Sequence, residues 1–191
     1  MPIKIYLAGP DVFLADARGV GAQKLEICRE FGFEGLFPLD NDADVGADHV
    51  KIFRANCSLM RLADIGVCNL TPFRGPSADP GTVFELGFLF ALNKPVFGYS
   101  GSATDYIQRV PAVVIPAGEP DARPWDPNGH AVENFGLGDN LMIVQAIEDS
   151  GGSIAVVQEK AGPAGGESLA AFEAFRACLE MIRERVSRGR R

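Results

Sequence analysis

Asp79-Pro80-Gly81-Thr82-Val83-Phe84-Glu85-Leu86-Gly87 reads as the start of a helix. Asp79 can cap the free amides of the first turn, and Pro80 suits the first helical position, where no N–H is needed. From Gly81 to Lys94 the chain runs GTVFELGFLFALNK, and Glu85 is the only ionisable side chain before that lysine. At about 3.6 residues per turn, Glu85 shares its face with Gly81, Thr82, Phe88, Leu89 and Leu92. A solvated glutamate would stand among lysines and other acids. This one is expected to point into a partly apolar pocket, where a carboxylate costs free energy unless it is partnered. Such groups cluster at functional sites; the competing structural reading is a glutamate at the rim of a buried helix.

Outward from this helix, apolar strand runs alternate with helical periods. Ile3 to Ala8 is a short apolar run closed by the turn Gly9-Pro10, and it carries the polar-tipped Tyr6. A helix is predicted from Asp16 to Phe31, stopped by Gly32, and a second strand at Gly35-Leu36-Phe37. Asp48 to Leu62 places Val50, Phe53, Cys57 and Met60 at helical intervals, with Asn56 beside the stripe. Asp64 to Leu70 is a third strand, which ends in the polar loop Thr71-Pro72-Phe73-Arg74-Gly75-Pro76 ahead of the central helix. Pro95 to Tyr99 is a fourth strand. Residues 101–130 form a long proline-rich excursion of the kind that is more often functional than merely connecting. A helix is then expected from Glu133 to Ser150 with Asp139 as a candidate cap, a fifth strand from Ser153 to Val157, and a last helix from Glu167 to about Val186. This alternation predicts a single α/β domain over residues 1–191, with a five-stranded parallel sheet and helices on both faces. Ligands of such sheets bind at the carboxyl ends of the strands. Tyr6, Gly9, Asn69 and the loop before Glu85 all map to that edge.

Composition narrows the function classes. The 191 residues are 47% hydrophobic and 23% charged, a globular balance with enough chain for one sizeable core. A net charge of −7 argues against a broad phosphate-binding face for nucleic acid. No window approaches the roughly 20 apolar residues of a membrane span, and the first residues enter a strand pattern without signal-peptide architecture. Cys28, Cys57, Cys68 and Cys178 form no C-x-x-C pair and read as reduced, packed thiols of a cytoplasmic protein. His49 and His130 have no second ligand at zinc spacing, and the acids of the loop at 38–44 lack calcium-loop spacing. A G-x-G-x-x-G after the first strand and a Walker A lysine motif are both absent, which weakens dinucleotide and ATP readings.

Two carboxylates six residues apart, Asp79 on the cap and Glu85 about a turn and a half into the helix, can face one pocket above the sheet. Carboxylates in different environments suit a division between an ionised nucleophile and a group that handles the leaving group's proton. That is the logic of glycosidic cleavage through an oxocarbenium-like transition state.

The ordered set Ile5-Tyr6-Leu7-Ala8-Gly9-Pro10, Phe37-Pro38-Leu39-Asp40-Asn41, Asn69 to Gly75 and Asp79 to Gly87 resembles the nucleoside 2-deoxyribosyltransferase family, with a weaker echo at Asp139-Asn140-Leu141-Met142. The resemblance implies a flavodoxin-like fold and transfer of a 2-deoxyribosyl group between nucleobases without metal or organic cofactor. It places Glu85 on the nucleophile that attacks C1′, Asp79 on the acid that contacts the base, and Tyr6 on the tyrosine that orients the nucleophile. It implies substrate contacts at Gly9, Phe13, Asn56 and Asn69. Asn56 departs from the family's pattern, which has a second base-contacting aspartate there. Asn140 and Met142 resemble a segment that a neighbouring subunit lends to the sugar's 5′ side, so a homo-oligomer with shared sites is expected. The implied partners are deoxynucleosides and free nucleobases. Two rivals remain: an N-glycosidase of nucleoside 5′-monophosphates, using Arg74 and Ser77 near the phosphate, and a non-enzymatic nucleotide-binding module.

Overall fold

The computed structural model describes residues 1–38, 48–116, 123–158 and 169–189. Residues 39–47, expected as part of a loop, and 159–168, expected as a linker and the first residues of the last helix, lie outside them, as do 117–122 and 190–191. Five strands, β1 (Lys4–Ala8), β2 (Glu34–Leu36), β3 (Ile65–Asn69), β4 (Val96–Ser100) and β5 (Ile154–Val156), form one sheet in the order β2-β1-β3-β4-β5. Every pairing is parallel, with Tyr6 beside Gly66 and Leu36, and Asn69 beside Tyr99. This is the flavodoxin-like order, and its direction reverses between β1 and β3.

Among the described residues six helices accompany the strands: α1 (Ala17–Glu30), α2 (His49–Leu62), α3 (Pro80–Ala91), α4 (Tyr106–Arg109), α5 (Leu141–Asp149) and α6 (Leu169–Gly189). A short 3-10 turn, Pro10–Phe13, follows β1. Alternation along β1 decides which helices meet which face. Ile5 and Leu7 pack with Ile27 of α1 and with Phe175, Cys178 and Leu179 of α6. Tyr6 and Ala8 pack on the other face with Cys57 and Met60 of α2, Leu86 and Leu89 of α3, and Ile143 and Ile147 of α5. All four cysteines are buried and unpaired.

The structure departs from the sequence pattern at three places. Residues 133–140 are not helical, and α5 starts at Leu141. Its cap is Asn140, whose Oδ1 accepts from the Met142 amide at 2.9 Å, and not Asp139. Glu133 folds back to accept from Asn140 Nδ2 and the Leu141 amide, both at 2.9 Å, so its apparent helical periodicity serves a cap. The excursion after β4 is more ordered than its composition suggests: it contains α4 and antiparallel bridges that join Trp125 to Val114 and Ala131. Finally, α3, whose only ionisable side chain is Glu85, is not buried on every apolar side. Thr82, Leu86 and Leu89 face the sheet, while Phe84 is 50% exposed.

Candidate active site

The site lies at the carboxyl edge, where β1 and β3 send their chains in opposite directions and leave a crevice. Tyr6 is fully buried on the α2/α3 face of β1, and its hydroxyl donates to Glu85 Oε1 at 2.5 Å. Burial pushes the Glu85 carboxyl up to about 7; the Tyr6 hydrogen bond opposes that rise and the charge of Asp79 adds to it. Burial first, then the Glu85 charge, drives the Tyr6 phenol far above its ordinary range, so the hydroxyl stays protonated and remains the donor. Cys68 is buried in the same region, and desolvation, reinforced by Glu85, likewise raises its thiol. Glu85 therefore has the half-apolar surroundings that its helix face predicts.

Asp79 occupies the N-cap of α3. Its Oδ2 accepts from the Thr82 amide at 2.9 Å and from the Thr82 hydroxyl at 3.2 Å. A Cβ at Gly81 would come within 2.9 Å of that oxygen, so the glycine makes room for the cap. Oδ1 has no hydrogen-bond partner among the described residues. The carboxylate thus stabilises the helix with one oxygen, and its charge is electrostatically coupled to Glu85.

Around this pair the structure places the remaining predicted residues unevenly. Gly9 is held against Asp11 and Asn69: a Cβ on it would meet Asp11 Oδ2 at 2.4 Å and Asn69 Cβ at 2.9 Å. Asn69 uses both ends of its amide within the protein. Its Nδ2 donates to Asp11 Oδ1 at 3.1 Å, and its Oδ1 accepts from the Thr71 amide at 3.1 Å. Phe13 is 57% exposed and stacks on Phe73 at 5.5 Å, with the Arg74 guanidinium over both rings. Asn56 Oδ1 is buried and has no hydrogen-bond partner among the described residues. Asn140 is engaged as the α5 cap, whereas Met142 is 71% exposed.

Sequence reasoning missed the groups that hold these loops. Lys24, only 1% exposed, contacts Asp11 Oδ2 at 2.8 Å and donates to the Tyr99 hydroxyl at 2.6 Å. Its signal was present: it falls on the α1 stripe that also carries Gly21, Ile27 and Cys28, where a solvated lysine does not belong. Asp139, also buried, accepts from the Ser77 hydroxyl and from the Ala78 amide at 2.9 Å. Among the described residues, no three His, Cys, Asp or Glu side chains converge to hold a metal ion, and no helix is long and apolar enough to cross a membrane.

The sequence model described as Nucleoside 2-deoxyribosyltransferase matches residues 5–142. An uncharacterized protein of Schizosaccharomyces pombe is 30% identical over 200 residues, covering 96% of this chain and 90% of that protein. A solved 2-desoxiribosyltransferase from Leishmania mexicana is 26% identical, with a TM-score of 0.64 over 94% of this chain and 98% of its own. A 2-deoxyribosyltransferase from Bacillus psychrosaccharolyticus is 24% identical, with a TM-score of 0.42 over 53% of this chain and 74% of its own. With most of its length inside the family model, and with a Tyr-Glu pair and a capping Asp at the crevice of a parallel sheet, the chain belongs to the nucleoside 2-deoxyribosyltransferase family.

Proposed function

We propose that this protein transfers a 2-deoxyribosyl group between nucleobases by double displacement through a covalent deoxyribosyl-Glu85 ester. The observation that carries the reading is the buried Tyr6–Glu85 hydrogen bond beside a second carboxylate with a free oxygen. Departure of the base leaves positive charge on the sugar, which ionised Glu85 stabilises before its oxygen bonds to C1′. The C1′–N bond breaks, its electron pair stays on the base nitrogen, and Asp79 supplies the proton that spares the site a poor leaving anion. In the second half, a nitrogen of another base attacks C1′ from the same side. The ester bond breaks, Glu85 regains its carboxylate, and Asp79 takes back the proton. Two inversions give net retention. Water in place of the second base gives hydrolysis as a side reaction.

Phe13 and Asn56 are the proposed contacts to the base. An amide at position 56 can donate as well as accept, which a carboxylate cannot. Asn140 and Met142 are proposed to complete the site of a neighbouring subunit, and the exposure of Met142 in its own subunit supports that.

The test is incubation of a deoxynucleoside with a different free base. Appearance of the new deoxynucleoside supports transfer, release of deoxyribose 5-phosphate from a deoxynucleoside 5′-monophosphate without exchange of the deoxynucleoside supports the glycosidase, and no turnover of either supports the binding module. A fluorinated arabino-nucleoside should leave a trapped sugar on Glu85, located by peptide mass. A sugar on Asp79 instead would reverse the two roles.

A further inference from the structure

The excursion after β4 has no part in the mechanism above, yet it delivers a side chain to the loop that carries Asp79. Arg109, the last residue of α4, donates from each of its three guanidinium nitrogens to a backbone carbonyl. Nε donates to Pro76 O at 2.7 Å, Nη2 to Gly138 O at 2.5 Å, and Nη1 to Thr104 O. Asp139, next to Gly138, accepts from the Ser77 hydroxyl, from the Ala78 amide at 2.9 Å and from the Asn140 amide at 2.8 Å. Pro76, Ser77 and Ala78 are the three residues that immediately precede Asp79, and each is held by one of these two side chains. The Tyr106 amide donates to Leu137 O at 2.9 Å and closes the same clip from the α4 side.

We propose that Arg109 and Asp139 are positioning residues that set Asp79 at the height from which it protonates the departing base. The proposal rests on the deoxyribosyl-transfer reading and adds to it the residues that make the acid effective. The physical ground is the geometry of proton transfer. An acid must lie within hydrogen-bond reach of the atom it protonates, and a displacement of about 1 Å can cost on the order of 100-fold. The loop between β3 and α3 leaves the sheet after Leu70, whose amide donates to Tyr99 O at 2.8 Å, and the planar fork of Arg109 ties its last turn, at Pro76, to Thr104 and Gly138 outside the loop. Lysine cannot reproduce that fork.

Leaving-group dependence separates positioning from mere stability. Arg109→Met, Asp139→Asn and Ser77→Ala are compared with the parent chain and with Asp79→Asn. The two substrates are 2′-deoxyguanosine and its N7-methylated cation, whose base departs neutral without a proton. The clip variants are expected to be about 10- to 100-fold slower in kcat on 2′-deoxyguanosine and within about threefold of the parent on the cation, as for a misplaced acid. Arg109→Lys should recover part of the loss. Equal slowing on both substrates, or no slowing on either, overturns the clip as a positioning device. If Asp79→Asn itself slows both substrates alike, the acid assignment falls and the clip falls with it. Selectivity in Asp79→Asn alone defeats only the clip. Ser77→Ala removes a single hydroxyl and retains the Ala78 bond, so it carries the test if a larger change prevents folding.

Discussion

The Tyr6 hydroxyl donates to Glu85 Oε1 at 2.5 Å, joining the first strand to the middle of a helix 79 residues later. That bond holds the Glu85 carboxyl down against burial and against Asp79, and the balance leaves it near 7. Tyr6→Phe removes the restraint without opening a cavity, so the carboxyl should rise further. The acidic limb of kcat/KM should move to higher pH, with a loss near neutrality of order 1 kcal/mol or somewhat more, the worth of a hydrogen bond to a charged group. Part of the loss should return by about pH 8.5, as Glu85 again ionises. A limb that stays in place would show that Tyr6 does not set the charge of Glu85.

Stability should carry the same signature. The folded-state carboxyl sits at about 7 against an ordinary 4.5, so between those values the folded protein binds more protons than the unfolded chain. Stability therefore falls as pH rises through that window, and the full penalty stands above it. Glu85→Gln removes the penalty. The variant should melt higher than the parent at pH 8, with the difference shrinking toward pH 5, while showing no base exchange. Thermal melts at the two pH values decide, and an equal difference at both contradicts the linkage.

The Lys24–Asp11 pair should behave as a buried charge pair whose halves depend on each other. Lys24→Met leaves the Asp11 carboxylate buried beside Gly9 and Asn69 without its ammonium, at a cost of about 3–5 kcal/mol. Replacing both, as in Lys24→Met with Asp11→Leu, should recover a substantial part of that loss, because an apolar pair leaves no uncompensated charge. Urea unfolding of the single and double variants measures the coupling. Additive losses would mean that the two side chains act separately.

Much of this was legible in the chain, for reasons that particular residues make plain. The Asp79-Pro80 start and the lone acid at Glu85 announced both the helix and its unusual face. The strand runs that end at Gly9 and Asn69 placed the site at the sheet edge. What escaped detection was tertiary. Glu133 sits at helical spacing from α5 yet caps it from outside, because side-chain acceptors at a helix start need not be sequential with it. Arg109 lies in a proline-rich stretch whose composition gives no hint that three separate carbonyls converge on it. The position of Asn69 at the strand end was legible, but that its amide is divided between Asp11 and Thr71 is a property of the fold alone.

Phe53 of α2 is 54% exposed and lies 5.8 Å from the half-exposed Phe84 of α3, which lies 6.0 Å from Phe88. Val50, one turn before Phe53 on α2, is exposed as well. An exposed apolar cluster of this kind marks an interaction site. A second copy is the occupant that also explains an exposed Met142, because a two-fold interface presents the same patch from both sides. Phe84→Glu places a charge at the centre of that face and should shift the protein toward monomer in sedimentation, with loss of exchange although Glu85 remains intact. Met142→Glu is the cleaner probe of a shared site than Asn140→Ala, because Asn140 caps its own α5 whereas Met142 faces solvent. Chains carrying Met142→Glu and chains carrying Glu85→Ala should each be inactive alone. After subunit exchange, the mixed oligomer contains sites with an intact Glu85 on one side and an intact Met142 on the other, and some activity should return. A parent chain that is monomeric at full specific activity removes the shared site, and a mixture that stays inactive removes Met142 from it.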